Sequence, residues 1–135
     1  FPVDDPGYQC RLQLAQEFSA VTAACLAISA EHWDQLGGLD EHALAVNYND
    51  VDLCLRAQSA GLRNIYLPQV KAIHHESKSR GRPRGKAFRQ WRREWAVMEQ
   101  RWSALLFNDP AYSPYLTLED ESWDLSLRRP PLQLR

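Results

Sequence analysis

The chain has 135 residues, 44% of them apolar and 24% charged, which suits one globular unit with a single core. Its longest apolar run, residues 20–28, falls far short of the roughly 20 residues that a membrane-spanning helix needs. Cys10, Cys25 and Cys54 are widely and irregularly spaced, which argues against a disulfide framework or a zinc ribbon and for buried thiols in a reducing, cytoplasmic setting. The net charge of −1 conceals an asymmetry. Residues 1–70 carry three Lys/Arg against nine Asp/Glu, whereas 71–135 carry thirteen against eight. The basic excess gathers in "KSRGRPRGKAFRQWRR", which reads as a site for phosphate, nucleic acid or an acidic surface, with a solvated helix face as the commoner reading.

In chain order, residues 1–7 read as loop, and "YQCRLQLAQEF" fits either a short helix or an irregular connection. "SAVTAACLAIS", short and rich in small and β-branched residues, predicts a buried strand. Ser29 then stands as N-cap of a two-turn helix, "AEHWDQL", with Glu31 in its first turn and Gly37-Gly38 as its stop. After the loop "GLDEHALAVNY", Asn49 or Asp50 is expected to cap a helix that runs to Ala60 and ends at Gly61. Val51, Cys54, Leu55 and Leu62 fall on one face of it, and Asp52 with Arg56 form an i,i+4 pair on another.

"LRNIYL" and "QVKAIH", on either side of Pro68, predict two strands, the second delivering His74 and His75 to its end. Gly81, Pro83 and Gly85 mark a basic loop. From Lys86 the residues Phe88, Trp91, Trp95, Met98, Trp102 and Leu105 recur at spacings of 3,4,3,4,3, a narrow apolar stripe with Arg89, Arg92 and Arg93 outside it. The last 28 residues, with four prolines, read as an extended tail. The order of elements makes the class α/β, with too few strands for a complete doubly wound sheet. The expected organisation is 1–85, then a long helix over 86–107, then the tail over 108–135.

Two constellations carry titratable groups. "NDVD" at a helix start is ordinarily a capping device, since an aspartate there satisfies free N–H groups and complements the helix dipole. The functional alternative makes one carboxylate a general base facing a substrate hydroxyl. In His74-His75-Glu76, adjacent residues of a strand point to opposite faces, so one imidazole at most serves a given metal or phosphate.

The ordered segments "AVTAACLAIS", "GGLDE", "YNDVDLCLRAQSAG", "NIYLP" and "IHHESKSRG" resemble the second half of family 2 glycosyltransferases of the GT-A fold. That family carries a "vTGa" strand, a "GGFDE" turn, an "(E/N)DvDLclR" helix start, a "G…yvP" strand and a "HHESxSRG" segment in this order. The tail "MEQRW … NDPAYSPYLTLEDESWDLS" resembles bacterial members that build rhamnose-containing polysaccharides and O-antigen. The likeness runs from about Leu12 to Leu127.

The resemblance implies a partial GT-A fold lacking the nucleotide-binding half, and hence the acceptor side of an inverting transferase with little activity alone. Asp50 would be the catalytic base, supported by Asn49, Asp52 and Arg56. His74 would meet the Mg²⁺ or Mn²⁺ on the diphosphate of a nucleotide-sugar donor. Arg80, Arg82 and Arg84 would add positive charge there, and Thr22, with Ala23 and Ala24, would line the sugar site. The acceptor would be a glycan or lipid-linked hydroxyl, and the setting the cytoplasm or the inner face of the cytoplasmic membrane. The family's Gly, Arg-Arg and Glu are here Ala23, Ser29-Ala30 and Asn49, and no DxD precedes the base. Strands without their usual neighbours would leave an open edge and favour self-association. The competing reading is a non-catalytic binding or dimerisation module built on the basic loop and the Trp-bearing helix. Nucleic acid is not expected, because the tryptophans lie on the stripe that should be buried.

Overall fold

The computed structural model describes residues 5–73, 84–113 and 115–116. Their regular elements are strand β1 (Gln16–Phe18), helix α1 (Ala30–Leu36), helix α2 (Asn49–Ser59), strand β2 (Asn64–Tyr66) and helix α3 (Lys86–Phe107), with tight 3₁₀ turns at Tyr8–Gln13 and Ala23–Cys25. β1 and β2 pair antiparallel, with Glu17 opposite Ile65. The described residues are thus mixed α and β with a two-stranded sheet.

α2 is central because its residues are buried on several sides at once. Leu55 meets Leu44 and Met98 in a core completed by Val51, Val97, Trp102 and Leu105, so α3 docks along α2 through the stripe its sequence displays. Each such buried apolar side chain contributes on the order of 1.5–3 kcal/mol. On another side Cys54 meets the 20s segment through Val21. From β2, the Asn64 amide donates to the carbonyls of Ser19 and Cys54, both at 3.0 Å, and so ties the sheet to α2. Phe18 and Tyr66 meet edge to face at 5.9 Å across the strand pair, and Arg11 lies over the Phe18 ring.

α1 forms as its sequence demands. Ser29 Oγ accepts from the His32 N–H at 3.2 Å, and Gly37 ends the helix in the left-handed region. α2 begins differently from expectation. Its cap is Tyr48, at φ 63°, and both Asn49 and Asp50 lie inside the first turn.

Two expected strands do not form among the described residues. Residues 19–29 carry a 3₁₀ turn instead, because their amides bond elsewhere: Val21 N–H to Cys54 Sγ, Ala23 N–H to Asp50 and Ala24 N–H to Thr22 Oγ1. After Pro68 the chain turns, with Val70 N–H on the Leu67 carbonyl at 3.1 Å, and residues 70–73 are not strand; Val70 and Ile73 are 58% and 77% exposed. His74, His75, Arg80, Arg82 and residues 117–135 lie outside the described residues.

Candidate active site

Asp50 and Asp52 stand two positions apart in the first turn of α2 and are opposite in circumstance. Asp50 is half-buried in the first turn of α2. One of its carboxylate oxygens accepts from the Val51 N–H at 2.9 Å and the other from the Ala23 N–H at 3.1 Å. The second bond brings the Thr22–Ala24 turn to the head of α2, so Thr22, Ala23, Asn49 and Asp50 share one neighbourhood. Among the described residues, Asp50 has no ion pair, and backbone N–H groups hold it in place without neutralising it.

Asp52 is completely buried. The sequence puts it on a polar face apart from the apolar one, but α2 is covered on that side too, by the Gly37-Gly38 turn and by α3. Its carboxylate accepts from Arg56 Nε at 2.8 Å, Arg101 Nη1 at 3.1 Å and Trp102 Nε1 at 2.9 Å. Burial by itself would raise its pKa, yet the three donors outweigh that and hold it below the ordinary carboxylate value. Arg56 continues to the carbonyls of Leu36 and Gly38, and Arg101 continues to Asp40 at 2.8 Å. Asp40 also caps its own loop through the N–H groups of His42 and Ala43. The "GGLDE" turn, the "DVDLCLR" helix and α3 are therefore one hydrogen-bonded block around Asp52.

α3 is bonded at a second point, to the segment that leads into α2. Glu94 is 3% exposed and accepts from the N–H groups of Val46 and Asn47, at 3.2 and 2.8 Å, from the Asn47 amide, and from Gln90 Nε2 at 3.0 Å. Burial would raise its pKa too, and these donors bring it below the usual value. The next residue, Tyr48, rests its ring on Trp95 at 5.8 Å. Glu94, Arg101 and Trp102 were not singled out from the sequence as site-forming residues. The signal was present: Glu94 falls on the stripe between Trp91 and Met98, where an acid is out of place unless it is fully bonded.

Arg84 is exposed just before α3, and among the described residues nothing links it to Asp50. No cluster of three or more His, Cys, Asp or Glu suited to a metal occurs among the described residues, and His74 is outside them. No described helix is long and apolar enough to cross a membrane. An open cleft of about 650 Å³ lies beside the Gly37-Gly38 turn, walled by Trp33, Asp40, His42, Arg56 and Arg101. A second of about 380 Å³ runs between the 20s segment, α2 and β2, lined by Leu26, Ile28, Leu53, Leu62 and Leu67.

The chain is 46% identical over 132 residues to an uncharacterized protein, y4gI, of Sinorhizobium fredii, a match that takes in 96% of this chain and 14% of that protein. It is 38% identical over 112 residues to the O-antigen biosynthesis protein RfbC of Myxococcus xanthus, taking in 83% of this chain and 8% of that protein. The chain thus spans a small part of the length of both curated relatives, and it is similar to a segment of a protein of polysaccharide biosynthesis. No family model matches it, and no solved structure does.

Proposed function

We propose that the chain is the acceptor-side part of an inverting glycosyltransferase of the GT-A kind, working in polysaccharide synthesis on the cytoplasmic side of the membrane. The observation that carries this reading is the contrast between the two aspartates. Asp52 is completely buried and holds three donors, two of them from arginines, so it has no route to a substrate. Asp50 is part-exposed at a helix N-terminus, oriented by two backbone amides and free of any cation among the described residues. The similarity to a segment of an O-antigen biosynthesis protein supports the same direction.

In this reading Asp50 takes the proton from the acceptor hydroxyl as that oxygen attacks the anomeric carbon of the donor, and the nucleoside diphosphate leaves from the opposite face. A carboxylate fixed in place by N–H groups needs no reorganisation to accept the proton. Thr22 and the neighbouring small residues would border the sugar. Arg80, Arg82, Arg84 and His74 would act at the diphosphate, His74 through a Mg²⁺ or Mn²⁺ ion held chiefly by other parts of the parent protein. Among the described residues no group of three or more His, Cys, Asp or Glu could hold that ion.

The test is sugar transfer by the full-length parent across a panel of nucleotide-sugars, comparing wild type with Asp50→Asn. A general base contributes typically 10²–10⁴-fold, so a loss of that order with nucleotide binding retained is expected. Near-normal turnover in Asp50→Asn would reduce Asp50 to a helix cap and overturn the reading.

A further inference from the structure

We infer that Glu94, on α3, is a positioning residue for the candidate base Asp50, acting through the Val46–Tyr48 segment. This rests on the reading of Asp50 above and deepens it. The segment enters α2 by an unusual route. Tyr48 holds a left-handed backbone, φ 63° and ψ 3°, and no side chain caps the helix there. A residue with a β-carbon adopts that conformation uncommonly and at a cost in free energy that its surroundings must offset.

Glu94 supplies the constraint. Its two oxygens take both consecutive backbone N–H groups before Tyr48, together with the Asn47 side-chain amide. Those N–H groups belong to no strand or helix, so the carboxylate stands in for a missing stretch of secondary structure. Gln90, one turn earlier on α3, fixes the Glu94 carboxylate, and Trp95 beside it packs on the Tyr48 ring. Asp50 follows two residues later and aims one oxygen at Ala23 across the chain. A shift of the 46–48 backbone rotates the first turn of α2 and carries that oxygen away from its place. Asp52, by contrast, is held independently through Arg56, Arg101 and Trp102. The rest of α2 therefore stays docked when Glu94 is lost, and the disturbance concentrates at Asp50.

Chemistry distinguishes a positioning group from a general scaffold one. Glutamine at 94 keeps the size of the side chain but presents one oxygen and one NH₂ to four donors, so at either orientation of the amide at least one backbone N–H, of Val46 or of Asn47, meets another donor. The experiment is steady-state kinetics of the full-length parent with Glu94→Gln and, as the milder probe, Asn47→Ala, each normalised to the folded fraction by circular dichroism, beside Asp50→Asn. The expected result is a kcat at least tenfold down in Glu94→Gln with the nucleotide-sugar KM within about twofold, because the donor is not touched. Asn47→Ala should show the same split at smaller size, having lost one of the donors. If Asp50→Asn is inactive while Glu94→Gln and Asn47→Ala keep wild-type kcat per folded molecule, this inference fails and the base assignment survives. If Asp50→Asn itself turns over normally, the base assignment fails first.

Discussion

At the scale of single residues, three carboxylates among the described residues give the fold a dependence on acid. Asp40, Asp52 and Glu94 all sit below the ordinary carboxylate value, Asp40 chiefly through the Ala43 N–H, Asp52 and Glu94 because their donors outweigh the opposing effect of burial. Between its folded value and its ordinary one, 3.8 for Asp52 and 4.5 for Glu94, each group binds fewer protons folded than unfolded. The stability they contribute is therefore complete above the ordinary value and is lost as pH falls through the folded value. The urea midpoint of unfolding is expected to hold level from about pH 7 to about pH 5 and to fall below that, and in Asp52→Asn the fall should be shallower. An acid limb as steep in the variant as in wild type would show that Asp52 has no special standing. Removing the carboxylate also leaves Arg56, Arg101 and Trp102 facing an empty site. Breaking a buried pair costs about 3–5 kcal/mol, and the partial exposure of the two arginines, 24% and 38%, brings the expectation for Asp52→Ala to about 2–3 kcal/mol. Its denaturant midpoint at neutral pH measures this directly.

At the scale of elements, the two glycines after α1 separate backbone conformation from packing. Gly37 and Gly38 are both left-handed, at φ 76° and 66°, but a β-carbon on Gly37 would meet nothing within 4 Å, while one on Gly38 would lie 3.0 Å from the Trp33 ring. Gly37→Ala is expected to cost only the left-handed penalty of about 1–2 kcal/mol. Gly38→Ala adds overpacking, about 1 kcal/mol or more, and loosens the carbonyl that Arg56 binds at 2.7 Å. Equal midpoints for the two variants in urea would remove Trp33 from the account. The helices were legible because their signals are local: Ser29 as cap, Gly37 as stop, the stripe of α3. Strands depend on partners that periodicity does not reveal. In residues 19–29 the amides that a ladder would use are taken by Cys54, Asp50 and Thr22. The site was half legible for the same reason. The Asp52–Arg56 pair is one helical turn and forms as the spacing requires. Glu94 on Asn47, by contrast, spans 47 positions, and Arg101 on Asp52 spans 49.

At the scale of the whole molecule, the hydrogen-bonded block and the apolar surface lie on different parts of the chain, and that division bears on association. Asp52, Glu94 and their donors bind α2, α3 and the Gly38–Asn47 stretch to one another. On the side of β2, Ile65, Leu67, Val70 and Ile73 are 43%, 49%, 58% and 77% exposed, next to the apolar cleft of Leu26, Ile28 and Leu62. Among the described residues the sheet has two strands, and a sheet of that size is marginal without further cover. The neighbouring exposed apolar side chains favour burial against another surface, and for this chain in isolation the available surface is a second copy. Sedimentation velocity across a concentration series is expected to show a weight-average mass rising above 15.6 kDa. Leu67→Lys with Ile73→Lys should return the chain toward that mass without touching Asp50, Asp52 or α3. Two results count against this: a single 15.6 kDa species for wild type at every concentration, or association unchanged by the double substitution. The second would move the contact to another surface, with the exposed Phe88 and Phe107 of α3 the next to substitute.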